Sequence, residues 1–528
     1  MAGGGVDRLS SLSNDLLRRI LHFAPLKEAA STTALSRRWR EPLWLSSGAV
    51  NLETGVVEKK KYRRRQRHEH DNANTHARFF SGSDDLVSVA TGALDAAAVP
   101  VTRLTLITWY PVSDHYEVVS SYKDMVEVVL SHRAVHNIEE LLPVAKDPSG
   151  NPYDRWVHNC TVNLDSLQLE TLRILELTNC SGVLVYHREA VLPRLSSLKL
   201  SHCSQQLGSL QRVIDAAPSL AAIRLESVFI THEEDIEATW RHLRCPATTV
   251  LVLDSCSWEV KIQAPDCGWF YRKTVDRLEI DAVRLRRFSY KGPLRSYSFG
   301  PQPLEFEQVD LEFFEQEQGY REMDPNSDIE TFWRFARNFT GTKQMRLRVN
   351  HLEDIAVLSE ARQVELLPAF RRLERLEFQG AHWTKDKTAA VTTILNLLHC
   401  YPVLGALRIN LTAKYEEEDA SHKQGGHKQK GTTRKEILMA AMVGPRYLFQ
   451  CLQTSLRKVD LQFQLEKKDC LGVKLIKTFA ENAMVLEEIR IDSGEEKLCE
   501  HMNPRIAKWN SSRRELGATS FVVLPLKT

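Results

Sequence analysis

The chain has 528 residues, 43% of them hydrophobic, which is room for about three to four ordinary domains or one elongated repeat array. Its 70 Lys and Arg nearly balance 68 Asp and Glu, so there is no global pull toward nucleic acid or anionic membrane. No stretch nears the roughly 20 apolar residues of a membrane span, and the Met1-Ala-Gly-Gly-Gly start lacks the basic and apolar regions of a signal peptide.

The first predicted elements are three short helical segments. Leu16, Leu17, Ile20, Leu21 and Ala24 put an apolar stripe on the first helix, with Ser13 as N-cap, Asp15 in the first turn and Pro25 as the stop. A second segment spans 27–33, with the small Ala29 and Ala30; a third, around 35–41, carries Trp39 and stops at Pro42. So short a region cannot bury this much apolar surface against itself, which makes it a docking module. The Leu-Leu-x-x-Ile-Leu stripe, the Pro25-Leu26 break, the small-residue helix and the Leu35-Ser-Arg-Arg-Trp-Arg ending occur together and in order. This pattern resembles the F-box, the helical motif that ties a substrate receptor to a cullin–RING ubiquitin ligase through a Skp-type adaptor. It departs from that motif at Ser13, where Pro is usual, and at Ala24, where Leu is common. The resemblance implies that Leu12, Leu16, Ile20, Leu21, Leu35, Trp39 and Trp44 are buried partly within the motif and partly against the adaptor. Burying each large side chain is worth roughly 1.5–3 kcal/mol, so a few suffice for a stable complex.

A basic and polar stretch follows over 48–98, holding the run Glu58-Lys-Lys-Lys-Tyr-Arg-Arg-Arg-Gln-Arg-His. It reads as a nuclear-import signal, an RNA contact or a solvated linker between modules. Residues 99–450 carry a repeat. Leu172/Leu175/Leu177/Cys180 recurs as Leu195/Leu198/Leu200/Cys203, Leu220/Ile223/Leu225/Val228, Thr248/Leu251/Leu253/Cys256 and Val275/Leu278/Ile280/Val283. This is the leucine-rich-repeat signature, with each unit predicted as a short strand whose Leu positions point into a shared core. The frame appears earlier at Val101/Leu104/Leu106 and continues less cleanly through Leu285/Phe288/Tyr290, Phe306/Val309/Leu311 and Thr342/Met345/Leu347. It recovers at Leu373/Leu376/Phe378, Leu404/Leu407/Ile409, Leu456/Val459/Leu461 and Leu486/Ile489/Ile491. Val213-Ile-Asp-Ala-Ala-Pro and Ile394-Leu-Asn-Leu-Leu-His-Cys-Tyr-Pro read as helical return segments ended by Pro. Between two of these units the spacing doubles, and the insert 413–435, rich in Glu, Lys, His, Gly and Thr, is expected to be a disordered loop. Its histidines read as solvated rather than metal-binding.

The last segment, 451–528, runs Ser455-Leu-Arg-Lys-Val-Asp-Leu, then Asn482-Ala-Met-Val-Leu-Glu-Glu-Ile-Arg-Ile, and ends with a predicted helix and strand up to Phe521-Val-Val-Leu-Pro. It resembles the domain, often called FBD, that closes many plant F-box/leucine-rich-repeat proteins, and it would cap the open end of a solenoid. The fold class expected is therefore α/β, with an N-terminal helical F-box over 7–47, a leucine-rich-repeat solenoid and an FBD-like C-terminal cap.

The chemistry lies in surfaces. The ten cysteines stand singly, several at the repeating apolar position, with no Cys-x-x-Cys to support a zinc or redox site. A reducing compartment, cytoplasm and/or nucleus, fits them, and the Asn-x-Ser/Thr triplets at Asn159, Asn338, Asn410 and Asn510 then carry no glycan. There is no phosphate-binding glycine loop and no Gly-x-Ser-x-Gly, and His232-Glu-Glu-Asp-Ile lacks the second His of a zincin. No cofactor, metal or catalytic residue is expected. The residue between the last two apolar positions of each strand faces outward on the concave side: Glu176, Lys199, Arg224, Val252, Glu279, Ser289, Glu377, Arg408, Asp460 and Arg490. This row reads as a target-binding face selecting a partner by charge, or as a merely soluble one. The family resemblance implies a non-catalytic substrate-recognition subunit of an SCF-type ubiquitin ligase, with a Skp-type adaptor, cullin and RING subunits and a target protein as partners. The alternatives are a ligase-independent interaction scaffold or a small-molecule co-receptor.

Overall fold

In the computed structural model the recurring Leu-x-Leu pairs become the inward side of parallel strands, one strand per repeat. The structure describes residues 11–35, 37–40, 43–53, 87–109, 126–146, 161–164, 170–185, 191–232, 241–263, 270–274, 277–300, 305–314, 325–384, 387–415, 449–464, 470–492, 504–505, 507–511 and 521–525. The chain divides into two units, residues 1–239 with 243–275 and residues 240–242 with 276–528.

The first unit opens with α1 (Asn14–Leu21) and α2 (Leu26–Ser31), followed by three single 3-10 turns up to Ser46. Parallel strands follow: β1 (Ala49–Glu53), β2 (Arg103–Trp109), β3 (Glu140–Lys146), β4 (Ile174–Thr178), β5 (Ser197–Ser201), β6 (Ala222–Glu226) and β7 (Val250–Asp254). Their register is that of the repeat: Leu175, Leu198, Ile223 and Leu251 lie side by side, as do Leu177, Leu200, Leu225 and Leu253. All eight are fully buried, so every strand fills the gap between its neighbours. Two of the strands, β1 and β3, keep only fragments of the frame and are not apparent in the sequence.

The end of the signature has its own geometry. Asn179, His202, Ser227 and Ser255, one after each of β4 to β7, have φ between 52 and 56°. This left-handed turn costs an ordinary residue about 1–2 kcal/mol, least for Asn. Three of the four donate a backbone N–H to the next strand: Asn179 to the Ser201 carbonyl, His202 to Glu226 and Ser227 to Asp254, at 2.7–2.9 Å. The turn swings the following Cys180, Cys203, Val228 or Cys256 into the core. Cysteine suits that place because its small thiol packs as an apolar group and still donates weakly; Cys256 Sγ reaches the Leu225 carbonyl at 3.2 Å. The return helix α3 (Leu207–Ala216) buries Leu207, Leu210, Val213 and Ile214 and stops before Pro218, as its sequence predicts.

The second unit continues the pattern with β8 (Arg287–Gly292), β9 (Gln308–Phe313), β10 (Gln344–His351), β11 (Arg375–Trp383), β12 (Ala406–Lys414), β13 (Lys458–Phe463), β14 (Glu488–Asp492) and β15 (Val522–Pro525), each parallel to the next. Phe288, Val309, Met345, Leu376, Leu407, Val459 and Ile489 share one buried row. Helices α4 (Pro325–Arg337), α5 (Glu360–Leu366), α6 (Thr388–Cys400), α7 (Gln450–Thr454) and α8 (Leu471–Asn482) fill the connections. Beneath β8 and β9 the core turns aromatic: Phe335 meets Tyr290, Tyr297, Phe313 and Phe339 edge-on, with ring centroids 5.2–5.8 Å apart. Trp333 is fully buried and its indole N–H donates to the Ile355 carbonyl at 3.0 Å.

Two expectations need correction. The unit read at Val275/Leu278/Ile280/Val283 is not a repeat strand: Arg277–Asp281 pairs in parallel with Ser296–Phe299, in a separate small sheet. Alternating apolar residues mark any half-buried strand, so period 2 alone cannot separate a repeat strand from an extended return segment. Additionally, β12 runs through Ala413 and Lys414, so the first two residues assigned to the polar insert belong to the sheet. The remainder of that insert, and the basic run at 58–68, lie outside the described residues.

Candidate docking surfaces

The N-terminal helices sort their apolar residues onto two sides. Leu17, Leu21, Ala29, Trp39 and Leu43 form the inner cluster, with Leu12, Ala24 and Trp44 packed against it. Ser13 caps α1 by accepting the Leu16 N–H at 3.4 Å. Arg38 staples the start of α1, donating to the Leu12 carbonyl and, at 2.8 and 3.0 Å, to Asn14 Oδ1. Leu16 and Ile20 are 49% exposed, Phe23 63% and Leu35 66%. The single stripe expected on α1 is thus two adjacent stripes, one filling the module and one facing out. Of the seven residues predicted to touch the adaptor, Leu21 and Trp39 lie inside, Leu12 and Trp44 are half-buried, and Leu16, Ile20 and Leu35 are exposed. Phe23 escaped the sequence reading, although it stands seven residues after Leu16, on the same outer stripe.

This module is tied to the first strands. Asn51 of β1 donates its amide to the His22 and Ala24 carbonyls at 2.9 and 3.0 Å, satisfying the end of α1. His22 Nδ1 lies 2.9 Å from the Ser47 carbonyl, and the Arg103 guanidinium stands 5.0 Å above the Phe23 ring.

The second surface is the outward side of the strands. In the first unit Glu176, Lys199, Arg224 and Val252 lie side by side, as the spacing predicts. Lys199 pairs with Glu226 at 3.0 Å, and Ser201 donates to the same carboxylate. Half-buried Ile107, Leu142, Val144, Ile174 and Val250 share this outward side. In the second unit the row reads Ser289, Asp310, Arg346, Glu377, Arg408, Asp460, Arg490. Asp310 and Arg346 were missing from the sequence-based row, though each stands between the two apolar positions of its own strand. Glu279 leaves it: on the strand 277–281 it faces His242, 3.1 Å away, rather than the repeat row. Arg346 binds Glu377 at 3.0 Å, and that hydrogen bond pushes the guanidinium's affinity for its proton further up. Arg348 binds Glu312 at 3.0 Å and Arg490 binds Glu488 at 2.8 Å. Burial pushes the Asp460 carboxyl above the usual carboxylate range, against the pull of Arg490 and Arg408.

The seven described cysteines are buried thiols outside any disulfide, and burial pushes the Cys451 thiol up to about 12, so it holds its proton at neutral pH. Among the described residues no group of three His, Cys, Asp or Glu side chains is placed to hold a metal, and no helix is long and apolar enough to cross a membrane.

An F-box/FBD/LRR-repeat protein of Arabidopsis thaliana is 22% identical over 491 residues, covering 92% of this chain and 90% of its own. Over nearly its whole length the chain is therefore similar to a plant F-box/FBD/LRR-repeat protein. An FBD-associated F-box protein of the same plant is 49% identical over 51 residues, which are 10% of this chain and 27% of that protein. An F-box/LRR-repeat protein is 49% identical over 47 residues, 9% of this chain and 8% of its own. In these last two matches the chain therefore aligns with about a quarter or less of its relative's length. No protein-family model matches the chain. The helices and large parallel sheet of this chain are consistent with an F-box/LRR-type protein.

Proposed function

We propose that this chain is the substrate-recognition subunit of an SCF-type cullin–RING ubiquitin ligase. In this reading the outer stripe of the N-terminal helices docks a Skp-type adaptor, the outward face of the repeat strands holds a target protein, and the residues after Gln450 close the far end of a leucine-rich-repeat solenoid as an FBD-like cap. The carrying observation is that the helical module already has a filled interior, Leu17, Leu21, Trp39 and Leu43, yet leaves Leu16, Ile20, Phe23 and Leu35 open on one side. Large apolar side chains held half-exposed on a finished module are a binding stripe. The fixed junction at Asn51 and Arg103 fits a subunit that must present its target at a set distance from the ligase. The chemistry is left to other subunits, so the chain acts by holding and orienting.

The test is capture of a Skp-type adaptor by the full chain. Leu16→Asp with Ile20→Asp puts two carboxylates on the outer stripe while leaving the inner cluster intact, and adaptor capture should be lost with the thermal melt unchanged. Unchanged capture sinks the docking claim. Recovery of cullin together with the adaptor separates a ligase subunit from a scaffold that binds the adaptor alone.

A further inference from the structure

The outward face of β10 to β14 carries seven Arg and Lys against four Asp and Glu, namely Arg346, Arg348, Arg375, Arg408, Lys414, Lys458 and Arg490 against Glu377, Asp460, Glu488 and Asp492. Read across the strands, the charges alternate and consume one another: Arg346 with Glu377, Arg348 with Glu312, Arg490 with Glu488, and Lys458 with Glu488 at 3.8 Å. Read along the strands, one column differs. On β12 the outward residues are Ala406, Arg408, Asn410, Thr412 and Lys414; like β10 it has no carboxylate among them, but the β10 arginines are paired with neighbouring strands. Arg408, Thr412 and Lys414 are exposed and Asn410 is half-buried. Among the described residues the Arg408 guanidinium makes no hydrogen bond or close ion pair, and it stands in register between Glu377 on one side and Asp460 on the other. The Lys414 ammonium reaches, among the described residues, only the imidazole of His351, 3.3 Å away.

The upper end of this column is built. His351 stacks flat on Trp383, ring centroids 4.9 Å apart and 8° between planes, with Ala381 in register beside it and Lys414 in register with Trp383. Glu353 Oε1 accepts the Trp383 backbone N–H at 3.1 Å, so that carboxylate is held at the shelf's edge. The column therefore offers, in order, a cation, an amide, a hydroxyl and a second cation, ending against an aromatic shelf. A strand rises about 3.3 Å per residue, so Arg408 and Lys414 stand about 20 Å apart along it.

We propose that this β12 column is where the target is read, and that the target supplies an extended acidic segment whose carboxylates, about six residues apart, pair with Arg408 and Lys414. The inference rests on the reading above that the strand face holds a target. Exposed cations with no carboxylate bonded to them, on a face where Arg346, Arg348, Lys458 and Arg490 are already paired, are places where an acidic partner gains a new ion pair without breaking an old one. The two flanking carboxylates set the specificity: Asp460 competes for Arg408, and Glu353 bars a second acidic group beyond the shelf.

The test uses the full chain and fluorescein-labelled Ser/Gly peptides read by fluorescence anisotropy. One carries Glu six positions apart, its twin carries Lys there, and an oligothymidylate of similar length stands for nucleic acid. The Glu peptide should bind, and weaken as salt rises from roughly 0.05 M to roughly 0.3 M. Arg408→Glu with Lys414→Glu should weaken it about tenfold or more, while Asp460→Asn should tighten it and Arg224→Glu in the first unit should leave it unchanged. Both reversed positions are exposed, and an unchanged thermal melt shows that the variant is folded. Equal affinity for the Lys twin, tighter binding of the oligothymidylate, or full affinity in the folded reversal variant overturns the proposal. Leu16→Asp with Ile20→Asp keeps the two readings apart. If that pair leaves adaptor capture intact while the Glu peptide still binds through Arg408, the ligase reading fails and this one stands; captured adaptor with no peptide binding fails this one alone.

Discussion

The repeat strands of the two units end differently, and this difference explains both what the sequence reveals and where a partner can sit. In the first unit β4 to β7 are five residues each, and Asn179, His202, Ser227 and Ser255 then turn left-handed and drive a Cys or Val into the core. Among the described residues of the second unit no side-chain-bearing residue has positive φ, and β10, β11 and β12 run on for eight, nine and nine residues. An early turn keeps the outward face narrow and its charges close to their partners. A late end adds two further rows, which hold His351, buried Ala381 and Thr412, then Trp383 and Lys414. The cationic column exists because nothing stops β12 at Asn410.

The cores differ as well, and the largest effect comes from there. Phe335 is only 2% exposed and stands at the centre of the ring cluster. Phe335→Ala should cost about 3–5 kcal/mol of unfolding free energy by urea titration, because the rings around it cannot collapse into the space. A loss near 1 kcal/mol, ordinary for a random substitution, would mean that the cluster is loosely packed and that the aromatic character of this unit carries no special weight.

Next in size is the turn itself. His202→Val should cost about 1–2 kcal/mol, since a β-branched side chain is strained at φ 53°, whereas His202→Gly should be neutral or better. As a control in the second unit, Asn410→Val, at the repeat position of Ser201, places a β-branched residue in mid-strand and should stay within about 0.5 kcal/mol. Equal costs at the two positions would remove the turn as the cause of the contrast.

The same turn accounts for how much could be read in advance. The frame was clean where Leu-x-Leu is followed by two polar residues and a Cys or Val, because the turn demands that spacing. It blurred at Phe288, Val309 and Met345, where the strands continue and the core admits rings, so that neither the period nor the residue type repeats. The strand at Leu278 was misplaced because alternation shows that one side is buried and never which sheet buries it. In the N-terminal helices the apolar residues were all legible, but their division was not: Leu16 and Leu17 are neighbours in sequence, and only packing against Trp39 and Leu43 shows which one turns inward. The outward row was legible from strand period alone, yet its pairing was not, since Arg346 and Arg408 occupy the same position in their strands and only the first meets a carboxylate.

The smallest effect tests that pairing from the carboxylate side. Asp460 lies half-buried between Arg408 and Arg490, and burial outweighs both, so its folded-state pKa is raised. A raised carboxyl pKa means that the folded protein holds the proton more tightly. The associated stability is present below the unfolded value of about 3.9 and is lost as pH rises through the folded value. Asp460→Asn keeps a neutral side chain at every pH, so it should melt slightly higher than the parent at pH 7, and the gap should close as both are taken down toward pH 4. A gap that widens on acidification would mean the two arginines dominate and that Asp460 is a fixed partner of Arg408. Arg408 would then be no freer than Arg346, and the two units' faces would be neutralised in the same way.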